Sequence, residues 1–196
     1  ELVPARFAAR FDVETIVKTG GIEKELLGIV NERSVDLVIM GTHGRRNLGR
    51  WFIGSVTEHM LRTVPVPVLT VSHLGPEVHA IELGLVSLKR ILYATDLSGS
   101  LGIGMPYAIE LARRAGAQLT AMHVVDHANF VLVSDSTEAY LEAERVKLMR
   151  AMRRRLDDLV LREKPADVAV ETLVAGGRPY EKILEVAEQR SMDIIV

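Results

Sequence analysis

A chain of 196 residues with 24 basic and 26 acidic side chains has a formal charge of −2, so no global field draws it to nucleic acid or to an anionic membrane surface. Its hydrophobic content of 48% is that of a globular fold, not of a disordered or fibrous chain. Cysteine is absent, the apolar runs Ile91–Ala94 and Leu119–Val125 fall well short of the roughly 20 residues that span a bilayer, and residues 1–10 hold no apolar signal core; these features exclude disulfides and thiolate metal sites and fit a cytoplasmic protein without a membrane segment.

In chain order, Val13–Thr19 alternates like a strand, Gly20 and Gly21 break it, and Ile22, Leu26, Ile29 and Val30 form a helical stripe. The apolar run Leu37–Met40 reads as a central parallel strand covered on both faces. A glycine-rich loop, Gly41–Ser55, leads into a helix VTEHMLRTV, and Val66–Val71, entered through Pro65 and Pro67, reads as an edge strand because proline cannot donate to a central ladder. A linker over about 73–87 follows. The segment KRILYATD (Lys89–Asp96) opens a second run of elements. Its helix carries Met105, Ala108, Ile109 and Ala112 on one stripe, with Arg113 and Arg114 in the last turn and Gly116 at the end. After a strand at Leu119–Val125, a long helix over about 136–163 turns Leu148, Met152, Leu156 and Leu159 inward and Lys147, Arg150, Arg153 and Arg154 to solvent, and Pro165 closes it.

Val13–Ile39 aligns without a gap on Val170–Val196 at an offset of 157 residues (170 minus 13), with 9 of 27 positions identical, which marks a duplicated strand-helix-strand unit. Strands and helices alternating in this rhythm predict an α/β fold, an open and mainly parallel sheet with helices on both faces.

The loop GTHGRRNLGRWFIGS has the spacing G-x2-G-x9-G-S. Its glycines let the backbone turn and approach an anion, and Gly54 and Ser55 stand where a helix N-terminus adds its orphan amides and dipole, so phosphate is the natural guest. The loop is neither a Walker loop nor a G-x-G-x2-G fingerprint, and a ligand-free connection is the alternative. Its place after a central strand favours binding, since open α/β sheets take ligands at that edge.

The passage LVIMGTHGRRNLGRWFIGSVTEHMLRTVPVPVLTV, with ILYATDLS and a strand ending HVVD, resembles the ATP-binding branch of the universal stress protein family over nearly the whole chain. The resemblance implies a five-stranded parallel sheet of flavodoxin-like order, a loop that holds triphosphate and ribose, and an acid after the first strand that meets adenine. Carried over by motif, Gly41, Gly44, Gly54 and Ser55 are the phosphate side and Asp96 the adenine side, with Ala94 and Thr95 before it and Val124 offering backbone to the base. It also implies ATP with Mg²⁺ as ligand, and a homodimer, or an equivalent pairing of modules, through Val66–Val71.

Against that module, residues 1–72 supply the closing half of one copy and 88–196 the opening part of another, which stops before its own glycine loop. The chain is expected to be part of a longer tandem protein; the alternative is a composite site joining Asp96 to Gly41, Gly44, Gly54 and Ser55, within one chain or between two.

Other chemistry is thinner. His123, Asp126 and His127 are the only tight histidine cluster, but strand spacing does not give them a common face. His43, Arg45, Arg46 and Arg50 could meet phosphate or simply be solvated, and Gly99, Gly102 and Gly104 read as a loose turn. Ser55 has no general base near it in sequence and no G-x-S-x-G elbow is present, so at most slow ATP hydrolysis is expected. The expected function is nucleotide-dependent regulation or scaffolding in a stress response. Its rivals are a ligand-free interaction module and a nucleotide-dependent transferase of the adenylate-forming kind.

Overall fold

The computed structural model describes residues 11–41, 54–71, 87–98, 104–126, 138–163 and 166–196. The chain divides into two compact units, residues 1–83 and 84–196.

In the first unit, helix α1 (Ile22–Glu32) precedes strand β1 (Val38–Gly41), helix α2 (Ser55–Thr63) and strand β2 (Val68–Val71). The last three form a parallel β-α-β unit in register from Val38↔Val68 to Gly41↔Val71. Thr57 and Met60 of α2 are buried, as is Val30 of α1, and the two helices pack on each other. Ile22, at the start of the expected stripe, stays exposed.

Two sequence expectations fail in this unit. Residues 13–19 form no strand; a strand exists by virtue of a hydrogen-bonded neighbour, none lies beside them among the described residues, and their side chains are exposed. Nor is β1 covered on both faces, since Ile39 is 63% exposed.

The second unit contains β3 (Arg90–Ala94), α3 (Gly104–Ala115), β4 (Gln118–Val125), α4 (Glu138–Glu163), β5 (Val170–Gly176), α5 (Pro179–Gln189) and β6 (Ile194–Ile195). Its four strands are parallel in the order β5-β4-β3-β6. This is an α/β fold with an open parallel sheet, as the alternation of elements predicts. Numbered within the unit the order is 3-2-1-4, that of the doubly wound dinucleotide fold, and not the flavodoxin-like 2-1-3-4-5. The path leaves β3 through β4 to β5, then crosses back to β6 on the other side of β3, which places the switch point beside the end of β3.

One core holds Ile91, Met105, Ala108, Leu119 and Leu156; the other holds Leu92, Met122, Val124 and Val186, with Ile183 against it. Successive strand residues point to opposite faces, so β3 and β4 each feed both cores. The α3 stripe Met105, Ala108, Ile109 and Ala112 is buried throughout. The helix ends at Gly116, whose φ of +62° only glycine adopts at low cost, with the Ala117 amide donating to the Ala112 carbonyl at 2.9 Å. On α4, Leu156 and Leu159 are buried, while Met152 and Leu148, one and two turns nearer its start, are only half covered. The carboxylate of Asp193 clamps the start of β3 by accepting from the Lys89 and Arg90 amides at 2.7 and 2.8 Å.

Candidate functional site

The half-covered α4 residues face an opening. A cavity of about 480 Å³ sits at the carboxyl ends of β3 and β4, within the range of small-molecule sites. Ala94, Thr95 and Asp96 line it from β3, Met122 to Asp126 from β4, Leu148 and Met152 from α4, and Pro179 and Ile183 from α5.

Strand pairing fixes the edge. Ala94 donates to the Val196 carbonyl at 3.0 Å and Thr95 to that of Met122 at 2.9 Å, so the end of β3 is tied to both neighbours. The chain then turns sharply. Thr95 Oγ1 accepts from the Leu97 amide at 3.1 Å and Asp96 Oδ1 from the Ser98 amide at 2.8 Å, two side-chain bonds that replace a ladder the turn cannot make. Leu97 adopts φ +56°, a left-handed conformation that costs a side-chain-bearing residue energy, and its burial to 2% in the core holds it there. The Asp96 carboxyl is held below the ordinary carboxylate range, chiefly by the Ser98 amide and hydroxyl, with a smaller contribution from His123. It therefore meets a ligand as an anion and an acceptor.

His123, 9% exposed, directs Nδ1 at the Thr95 carbonyl oxygen, 2.8 Å away. In sequence this histidine clusters with Asp126 and His127, but strand spacing gives the three no common face and no metal is expected there. Among the described residues no three such groups come together for a metal, and His127 lies outside them. The signal for its actual partner, a carbonyl 28 residues earlier, exists only in the pairing of β3 with β4.

The structure thus brings four of the sequence-chosen residues, Ala94, Thr95, Asp96 and Val124, into one cavity. The apolar walls, Leu148 and Met152 on α4 and Pro179 and Ile183 on α5, were missed; they read as ordinary helix stripes until the helices are laid against the sheet.

In the first unit, Gly41 ends β1, Gly54 is the N-cap of α2 and Ser55 its first residue. Thr57 Oγ1 donates to the Gly41 carbonyl at 3.1 Å and ties the strand end to the helix start. Among the described residues no side chain caps α2, and its first intrahelical bond runs from the Glu58 amide to Gly54 at 2.9 Å, so the earlier amides have no intrahelical acceptor. A Cβ at Gly41 would meet nothing within 4 Å. Gly44, His43, Arg45, Arg46 and Arg50 lie outside the described residues, as do Gly99 and Gly102. Gly104 has a packing reason, since a Cβ there would stand 3.0 Å from the Tyr93 ring.

The sequence profile of the universal stress protein family matches residues 2–72 and 87–196. The chain belongs to the universal stress protein family. It is 39% identical over 61 residues, 31% of its length, to a universal stress protein of Methanocaldococcus jannaschii, and 24% identical over 184 residues, 93% of its length, to one of Mycolicibacterium smegmatis. It spans 38% and 58% of the lengths of those two relatives. A solved protein of unknown function from Pseudomonas aeruginosa superposes with a TM-score of 0.62 at 16% identity, over 90% of this chain and 57% of that one, a likeness of fold. Among the described residues no helix is long and apolar enough to cross a membrane.

Proposed function

We propose that this universal stress protein binds an adenine nucleotide, ATP carried in with Mg²⁺, and acts through that binding as a regulator or scaffold in a stress response, not through a dedicated reaction. The observation that carries the reading is the cavity at the carboxyl ends of β3 and β4 of the second unit, which Asp96, Ala94, Thr95 and Val124 help to line. Apolar side chains from α4 and α5 offer faces to a flat base, and Asp96 offers a charged acceptor to an amino edge. In the first unit, taken by itself, Gly41, Gly54 and Ser55, with Gly44 between them in sequence, are proposed as a phosphate-binding element, supported by a strand end followed by a helix start with no side-chain cap among the described residues. A ligand that binds only the folded state stabilises it by mass action and can bias one assembly over another.

The same reading makes β2 an assembly edge. Among the described residues it pairs on one side only, with β1, and it leaves Val71 at 45% exposure. A homodimer, or a pairing of modules, through Val66–Val71 would cover that edge.

The test is calorimetric titration of ATP with Mg²⁺ into the wild-type chain and into Asp96→Ala, with product analysis of the same samples. Saturable binding weakened about tenfold in Asp96→Ala supports the proposal. Absence of binding would favour a ligand-free interaction module, and release of pyrophosphate with a co-substrate would favour a transferase.

A further inference from the structure

His123 is the cavity-lining group whose hydrogen bonding is only half accounted for by the protein. Its Nδ1 lies 2.8 Å from the Thr95 carbonyl oxygen, which can only accept, so the proton of that bond sits on Nδ1. In the neutral ring, Nε2 is then a bare acceptor. Among the described residues Nε2 has no partner, yet no buried side-chain nitrogen or oxygen is left without one. Nε2 is therefore accessible, and His123 is among the residues that line the cavity.

The groups beside it share its polarity. Asp96 stands at the same wall as a carboxylate, and the Thr95 carbonyl is a further acceptor held in place by the imidazole. A wall of acceptors matches a ligand edge that carries N–H donors and is mismatched to one that carries a carbonyl, because two facing acceptors leave both desolvated and unpaired.

The geometry points to His123 as a specificity residue. Its Nδ1–H braces the Thr95 carbonyl, and its Nε2 accepts from an exocyclic amino group of the ligand, which selects an amino-bearing purine over its keto counterpart. The inference rests on the nucleotide reading above and adds to it a residue and a direction of selection. Met122 and Val124, on either side of His123 in β4, point into the opposite core, so the strand's alternation commits this side chain to its own face.

The experiment compares ATP with ITP, whose base replaces the amino group by a carbonyl, on wild type and on His123→Asn. An asparagine amide can take the place of Nδ1 and keep the bond to Thr95, but nothing then stands at Nε2. Wild type is expected to bind ATP about tenfold or more tightly than ITP. His123→Asn, which loses the acceptor for the amino group, is expected to bind ATP more weakly and ITP no worse, so that the ratio falls severalfold. Nitrogen-15 shifts of the neutral imidazole of wild type are expected to show the ring proton on Nδ1 and not on Nε2, a readout that survives even if the variant does not fold. Retention of the wild-type ratio in the variant, equal binding of ATP and ITP by wild type, or the opposite tautomer each overturns the inference while leaving nucleotide binding intact. Binding of neither nucleotide overturns the functional reading and the selection together, and the tautomer then decides only the brace to Thr95.

Discussion

Val13–Ile39 and Val170–Val196 share their turns, their helix and an ion pair, but only the second contains a strand at its start. Gly20 and Gly177 have φ of +151° and +143°, and Ser34 and Ser191 have φ of +50° and +48°. Each helix has 11 residues. Arg33 bonds Glu14 and Arg190 bonds Glu171, both at 2.9 Å. All of these are settled by residues within the segment, so they recur wherever the segment does. The strand is different. Val170–Gly176 pairs along its length with β4, while residues 13–19 have no such neighbour among the described residues and remain exposed. The alternating pattern is permissive; the neighbouring strand is what turns it into structure.

The sharpest way to break the comparison is to weaken β4. Met122 is fully buried in the core that also holds Val186 of α5, so Met122→Ala is expected to cost about 2–5 kcal/mol. Hydrogen exchange should then speed up across β5 and α5 while α1, in the other unit, is unchanged. Equal loss in α1 would contradict the claim that the two copies are stabilised separately.

Next in size is the glycine that both copies use. An alanine Cβ would stand 2.9 Å from Glu25 Oε1 at position 20 and 2.9 Å from Lys182 Cγ at position 177. Those flexible side chains can move; the positive φ cannot be relieved so easily. Gly20→Ala and Gly177→Ala are each expected to cost about 1–3 kcal/mol, read from the exchange of α1 and of α5. A cost in one copy alone would show that the turn is not a local property.

Asp193 sharpens the contrast through pH. Burial opposes its ionisation, but the amides of Lys89 and Arg90 outweigh that and hold the carboxyl below its usual range. A depressed carboxyl contributes stability that is present above its unfolded value near 4 and is lost as pH falls through the lower folded value. Asp193→Ala is expected to cost about 1 kcal/mol at neutral pH and to flatten the acid limb of the second unit's unfolding curve. Asp36, the matching residue of the first copy, has no such partner among the described residues, and Asp36→Ala should change little.

The smallest effect is the ion pair. Double-mutant cycles should give about 0.2–1 kcal/mol for Arg190 with Glu171, whose carboxylate is presented by a paired strand, and less for Arg33 with the more exposed Glu14. Stronger coupling in the first copy would mean that strand pairing does nothing to organise Glu171.

The same division between local and non-local explains what could be read ahead of the structure. The α3 stripe was legible because a period of 3.6 is written in the segment itself. Asp96 and its neighbours were singled out through a motif, and Ala94, Thr95, Asp96 and Val124 all line one cavity. Strand order was not legible, because β3 could have paired with several parallel neighbours. The role of His123 was not legible for the same reason, since its partner Thr95 comes beside it only when β3 and β4 pair. The apolar walls contributed by α4 and α5 come from residues 23 to 58 positions beyond the end of β4, at a distance no local pattern spans.

The account stands or falls on where an adenine nucleotide touches the second unit. Amide chemical-shift mapping on addition of ATP with Mg²⁺ tests that directly. The predicted result is saturable perturbation concentrated at Ala94–Asp96 and His123–Val125, with smaller changes at Leu148 and Ile183. Perturbation that leaves those residues untouched, or none at all at millimolar ATP, would contradict it.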